Sequence, residues 1–169
     1  MSRRVALLRG INVGGNSKVP MATLKVIFAE LGCTDVVTVL NSGNVVFSGE
    51  VTAAALEKRI AEETGVSSRV LLIDGPRLAK IAEAMPFEGD ESQLLVTLMG
   101  SVPASVDRPS AEELAPEQLQ VGPDAVYSLM PNGISNSKLK PAFWKQFPPE
   151  STGRNLRTVK KLVELLGTR

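Results

Sequence analysis

Val36-Val37-Thr38-Val39-Leu40-Asn41-Ser42-Gly43-Asn44-Val45-Val46-Phe47 decides the fold of this chain. β-Branched residues dominate the stretch up to Leu40, and the strand pattern resumes at Val45. The Asn41-Ser42-Gly43-Asn44 between them is turn chemistry, because Asn and Gly accept the backbone angles of a tight reversal. The whole therefore reads as a β-hairpin. Working backwards, Leu24, Ile27, Phe28 and Leu31 recur at helical spacing and predict a helix over 20–31. Pro20 suits its first turn and Gly32 its stop. Residues 5–8 before it form a short, continuously apolar strand. Working forwards, Thr52 is an N-cap, Leu56 and Ile60 face inward, Gly65 ends the helix, and residues 69–73 give a fourth strand. The order βαββαβ is the split βαβ, or ferredoxin-like, unit.

The second half echoes that order without a residue-level repeat. Asp74-Gly75-Pro76 opens a short helix with Leu78, Ile81, Ala82 and Met85 on one side, and Pro86 stops it. Residues 94–99 read as a buried strand, and Ser110-Ala111-Glu112-Glu113 has capping-box spacing. A second hairpin spans 118–130 around Gly122-Pro123-Asp124. The pattern predicts a helix over 135–146, in which Pro141 demands a kink or a late start. After Pro148-Pro149, Thr152 is the predicted cap of a final helix with Leu156, Val159, Val163 and Leu166 on its apolar face. The expected fold is α+β: two ferredoxin-like lobes with a C-terminal helix. The expected division is an N-terminal lobe at 1–74, a connecting helix and loop at 75–93, and a C-terminal lobe with the terminal helix at 94–169.

Composition narrows the chemistry. The 169 residues suffice for one domain or two small lobes. Hydrophobic residues make up 43% and aromatics only 4%, so the core is aliphatic. A net charge of +1 gives no global pull toward nucleic acid or membrane. There is no histidine, which removes Ser-His-Asp and Cys-His nucleophile systems and histidine-ligated metals. The one cysteine, Cys33, precludes an intramolecular disulfide and reads as a small packed side chain. No Asp/Glu group has metal-ligand spacing, so neither metal nor cofactor is expected. A lone thiol suits a reducing cytosol. The apolar run before Arg9 is too short for a signal peptide, and none approaches the ~20 residues of a membrane span. A cytoplasmic protein without membrane contact is expected.

The richest candidate site is Arg9-Gly10-Ile11-Asn12-Val13-Gly14-Gly15-Asn16-Ser17-Lys18, between the first strand and first helix. It packs three glycines, two asparagines, a serine and two cations into ten residues. Glycines allow close approach to the backbone, successive N–H groups can form an anion nest, and the following helix adds a positive dipole end. Arg9, Asn12, Gly14, Gly15 and Lys18 are the candidate ligand contacts. No GK[ST] terminates the loop and it is not GxGxxG. The competing reading is a structural turn. Sequence leaves open whether the 41–44 turn lies beside it. Asn132-Gly133-Ile134-Ser135-Asn136-Ser137-Lys138 is a second such run before a helix, read either as an anion contact through Ser137 and Lys138 or as a turn with an N-cap. Arg154 and Asn155 fall at the start of the predicted last helix, where a cation opposes the dipole. A solvated basic face is the alternative there.

These residues resemble a known family. Leu7-Leu8-Arg9-Gly10-Ile11-Asn12-Val13-Gly14-Gly15, then Lys18-Val19-Pro20-Met21 and Asn41-Ser42-Gly43-Asn44-Val45-Val46-Phe47, are similar to a widespread bacterial family catalogued as a domain of unknown function. The stretches from Pro131 to Leu139 and from Thr152 to Val159 also fit it. The resemblance implies two ferredoxin-like lobes in a small cytosolic protein, and it carries no activity. Two departures stand out. Leu156 occupies a position that is usually aromatic, and Gly153 one that is usually Thr or Ala. A ligand stacking on that segment would have lost its partner here.

The leading expectation is a binding protein for a phosphate-bearing small molecule or nucleotide, gripped by loop 9–18 with help from Ser137, Lys138, Arg154 and Asn155. One alternative is a nucleic-acid module that stacks bases on the strand aromatics Phe47 and Tyr127. Another is an enzyme without histidine or metal that stabilises an oxyanion, for which no base can be named. A third is a structural or oligomer-forming protein.

Overall fold

The hairpin forms as its residues dictate: β2 (Thr34–Val39) pairs antiparallel with β3 (Asn44–Ser48) in the computed structural model, which describes residues 3–13 and 17–167. Around it lie β1 (Arg3–Leu8), α1 (Met21–Glu30), α2 (Ala53–Thr64) and β4 (Val70–Asp74). The sheet order is β2-β3-β1-β4, antiparallel throughout, with β1 central. That is the strand arrangement of a split βαβ unit. Ala6, Leu8, Val45 and Phe47 of the sheet pack with Leu24, Ile27 and Phe28 of α1 and Leu56 and Ile60 of α2. The Phe28 and Phe47 rings sit 5.2 Å apart, centroid to centroid. Each such buried side chain contributes roughly 1.5–3 kcal/mol relative to exposure. Cys33 is buried in the same core, as its sequence position suggests. Thr52 caps α2 by accepting from Ala55 N at 3.1 Å, and Gly65 ends it at φ +75°.

The chain divides into two compact units, residues 1–78 with 162–169, and residues 79–161. The second holds β5 (Leu94–Leu98), α4 (Ala111–Leu114), β6 (Gln118–Val121), β7 (Ala125–Leu129), α5 (Pro141–Trp144) and β8 (Thr152–Asn155). Its sheet order is β6-β7-β5-β8, again antiparallel with the first strand central. Its core joins Leu95, Val126 and Met130 to Leu114, Leu139, Phe143 and Phe147. Trp144 packs against that core, edge-on to Phe143 at 4.8 Å. Helices α3 (Gly75–Glu83) and α6 (Leu156–Gly167) each cross the division. No helix among the described residues is long and apolar enough to cross a membrane.

Two elements differ from the sequence expectation. The helix expected over 135–146 is a 3-10 turn at Ile134–Asn136 followed by the short α5, with Pro141 in its first turn. The late start follows from proline, which disfavours helical geometry in the residue before it. The final helix starts at Leu156, capped by Asn155, because residues 152–155 form β8 instead. Of Thr-Gly-Arg-Asn only Thr152 favours a strand, and Gly and Asn disfavour one. Pairing with β5 makes it a strand, with Thr152 and Arg154 buried and Gly153 exposed.

Candidate functional site

Asn12 makes most of the side-chain bonds that brace the described part of the loop after β1. Asn12 sits at φ +55°, a left-handed conformation that Asn tolerates better than most residues. Its Oδ1 accepts from Val19 N at 2.9 Å, and its Nδ2 donates to Val19 O at 3.0 Å. Asn12 thus copies a backbone pairing across the base of the loop. Its own N–H donates to Ser17 O at 2.7 Å, and the Ser17 hydroxyl donates to Val13 O at 2.8 Å. Ile11 is buried, and Arg9 O accepts from the Ser68 hydroxyl at 2.9 Å. Gly14 and Gly15 lie outside the described residues.

The loop and the hairpin turn are one construction, which answers the question the sequence left open. Asn12 Nδ2 also donates to Asn41 O at 2.7 Å, and Leu8 N donates to Gly43 O at 2.9 Å. Gly43 has φ +92°, and a Cβ there would lie 2.8 Å from Ile11 Cδ1 and 2.9 Å from Leu8 Cβ. Glycine is thus required both for its angle and for the approach. Asn44 is fully buried and ties the turn shut by donating to Val39 O at 2.7 Å.

At the end of the loop, α1 begins without a side-chain cap among the described residues. Pro20 is its N-cap, with φ −65° and ψ 140°, and the first turn contains no acidic residue. The other helices of eight or more residues receive side-chain caps: Thr52 for α2, Asp74 Oδ1 to Arg77 N for α3, and Asn155 Oδ1 to Thr158 N for α6. The leading N–H groups of a helix have no partner within it, and they carry the positive end of its dipole. Lys18 lies two residues before this end, exposed and with no ion pair or hydrogen bond among the described residues. Arg9 is exposed at the other end of the loop.

The run 132–138 is satisfied from within. Glu117 is buried, and its carboxylate accepts from the Ser137 hydroxyl and from Lys138 N, both at 2.6 Å. Lys138 Nζ donates to Ala115 O at 2.6 Å. Open clefts of about 400 and 370 Å³ flank α4, and Pro109 and Leu114 line both. On β8, Arg154 is buried and donates to Thr152 Oγ1 at 2.7 Å and to Gly153 O at 2.9 Å. Burial pushes its guanidinium down to about 10. The structure therefore groups Arg9, Asn12 and Lys18 in one loop, Ser137 and Lys138 around Glu117, and Arg154 and Asn155 on β8.

The strand aromatics are not available for base stacking. Phe47 is fully buried against Phe28. Tyr127 is buried and donates to Ile81 O at 2.8 Å, and burial together with Asp124 pushes its hydroxyl up to about 12. Among the described residues, no group of three or more Cys, Asp or Glu is placed to hold a metal. Sequence reasoning missed the bare helix end at Pro20 and the exposed aliphatic residues Val13 and Leu40 beside the Asn12–Asn41 bond. A proline where a Ser, Thr, Asp or Asn cap is usual was the available signal for the first.

Fold and site together define a two-unit α+β protein in which a braced polar loop leads into an uncapped helix. The chain belongs to the family described as Protein of unknown function (DUF1697), which matches residues 1–127. It is similar to the conserved bacterial protein SP0830 from Streptococcus pneumoniae, with 22% identity over 98% of each chain and a TM-score of 0.66. That likeness is one of fold. No curated protein matches the sequence.

Proposed function

We propose that the first unit is a recognition module for a phosphate-bearing small molecule in the cytoplasm, with the anion held at the N-terminus of α1. The carrying observation is that, among the described residues, the first turn of α1 has no side-chain cap and the exposed Lys18 just before it has no partner. Backbone N–H groups at a helix start and a nearby ammonium are the usual components of a phosphate site. Arg9 flanks the loop and adds a second cation, while Asn12 holds the shape. Ser137, Lys138 and Asn155 have committed their polar atoms within the second unit, so the reading rests on the first.

Isothermal titration of the full chain with pyrophosphate, ribose 5-phosphate, AMP, ADP and ATP tests this. Binding of at least one is expected, weakening as salt rises because both cations are exposed. Lys18→Ala should weaken it about tenfold, or ~1.4 kcal/mol. No binding to any probe, or unchanged affinity in both Lys18→Ala and Arg9→Ala, would refute the reading.

A further inference from the structure

We infer that a cleft of the second unit binds a small zwitterion with an apolar body, an ammonium at one end and a carboxylate at the other. A free apolar amino acid and a short apolar peptide share that chemistry. The inference is independent of the phosphate reading, which concerns the first unit. The cleft holds about 370 Å³ beside α4, with Phe87, Arg108, Pro109, Glu117 and Leu119 in its wall. All of these lie within residues 79–161. Such a volume is at the small end of ligand pockets and suits a small molecule.

Two opposite charges in this wall have no ion pair among the described residues. Glu117 is 5% exposed, and its carboxylate accepts from the Ser137 hydroxyl and from Lys138 N. Both donors are uncharged, and the Lys138 ammonium goes to Ala115 O instead. A carboxylate offers about four acceptor positions, so some remain open. A buried carboxylate without a cation is costly, and a ligand ammonium would relieve that cost. Arg108 is exposed and has neither an ion pair nor a hydrogen bond among the described residues. The backbone on either side of it is nevertheless fixed. Asp107 N donates to Gln146 Oε1 and Asp107 O accepts from Gln146 Nε2, both at 2.8 Å. Ser110 and Glu113 close the capping box of α4.

Charge selects the ligand. An anion alone would be repelled by Glu117, and a cation alone by Arg108. A molecule carrying both charges satisfies both. Phe87, Pro109 and Leu119 are half-buried and give the wall its apolar surface. The Phe87 ring favours an aromatic body in particular.

The test is isothermal titration of the full chain with L-phenylalanine and with the dipeptide Phe-Phe. Two truncated probes accompany them: 3-phenylpropionate, which lacks the ammonium, and phenethylamine, which lacks the carboxylate. At least one zwitterion is expected to bind wild type at least tenfold tighter than either truncated probe, and the tighter of the two shows whether the source is the free amino acid or the peptide. Arg108→Ala should weaken the zwitterion at least fivefold and leave phenethylamine unchanged. Glu117→Gln should weaken the zwitterion and phenethylamine alike. If that variant fails to fold, the wild-type probe comparison and the exposed Arg108→Ala decide. Binding of neither zwitterion, equal affinity for zwitterion and truncated probes, or an unchanged zwitterion affinity in Arg108→Ala would overturn the inference and leave the phosphate reading intact.

Discussion

The runs 9–18 and 132–138 look alike in sequence and behave differently in the structure. Each is polar, carries glycine and leads toward a helix, though one follows the first strand of its unit and the other the third. In the second run the protein supplies its own anion: Glu117 takes the Ser137 hydroxyl and the Lys138 N–H. In the first, Asn12 closes the loop base, but no side chain among the described residues caps α1. The difference teaches that two runs of like composition can differ in whether the fold fills them: Glu117 occupies the second. Variants in the second run should cost stability. The Lys18 variant of the first run should cost binding alone.

The largest effect is expected at the brace. Gly43→Ala forces a Cβ into Ile11 and Leu8 at φ +92° and should cost about 4 kcal/mol, combining overpacking with backbone strain. A urea denaturation midpoint close to wild type would break the claim that loop and turn form one body. Next is Glu117→Ala, which removes the buried acceptor of two part-buried donors, for about 2.5 kcal/mol. Asn12→Ala loses its side-chain bonds to Val19 and Asn41 and should cost about 2 kcal/mol. Smallest is Lys18→Ala, expected within about 0.5 kcal/mol of wild type in stability, as for other exposed side chains without partners. A larger loss there would make Lys18 structural and erase the contrast.

Local patterns carried much of the fold. Valine-rich strands around Asn41-Ser42-Gly43-Asn44, the Thr52 and Gly65 helix ends and the Ser110 capping box are short-range signals, and each element formed. Strand β8 was illegible because its identity comes from β5, distant in sequence. Arg154 was read at a helix start for the same reason. At the site, the loop stood out by composition, yet residue types alone could not say that Asn12 reaches both Val19 and Asn41. Nor could they say that Ser137 and Lys138 already hold a carboxylate, because Glu117 lies some twenty residues upstream. Leu40 passed as the last residue of a valine-rich strand, and only its backbone angle and exposure set it apart.

Giving the first run its own anion tests the contrast most directly. Pro20 is exposed at φ −65° and ψ 140°, angles an aspartate N-cap adopts. In Pro20→Asp the new carboxylate can cap α1 as Asn155 caps α6. A cap gain of about 1 kcal/mol is offset by the lost rigidity of proline, so stability should change little. Titrated with ADP beside wild type, Pro20→Asp is predicted to stay folded and to lose binding by tenfold or more. A folded Pro20→Asp protein that binds ADP as tightly as wild type would contradict the account.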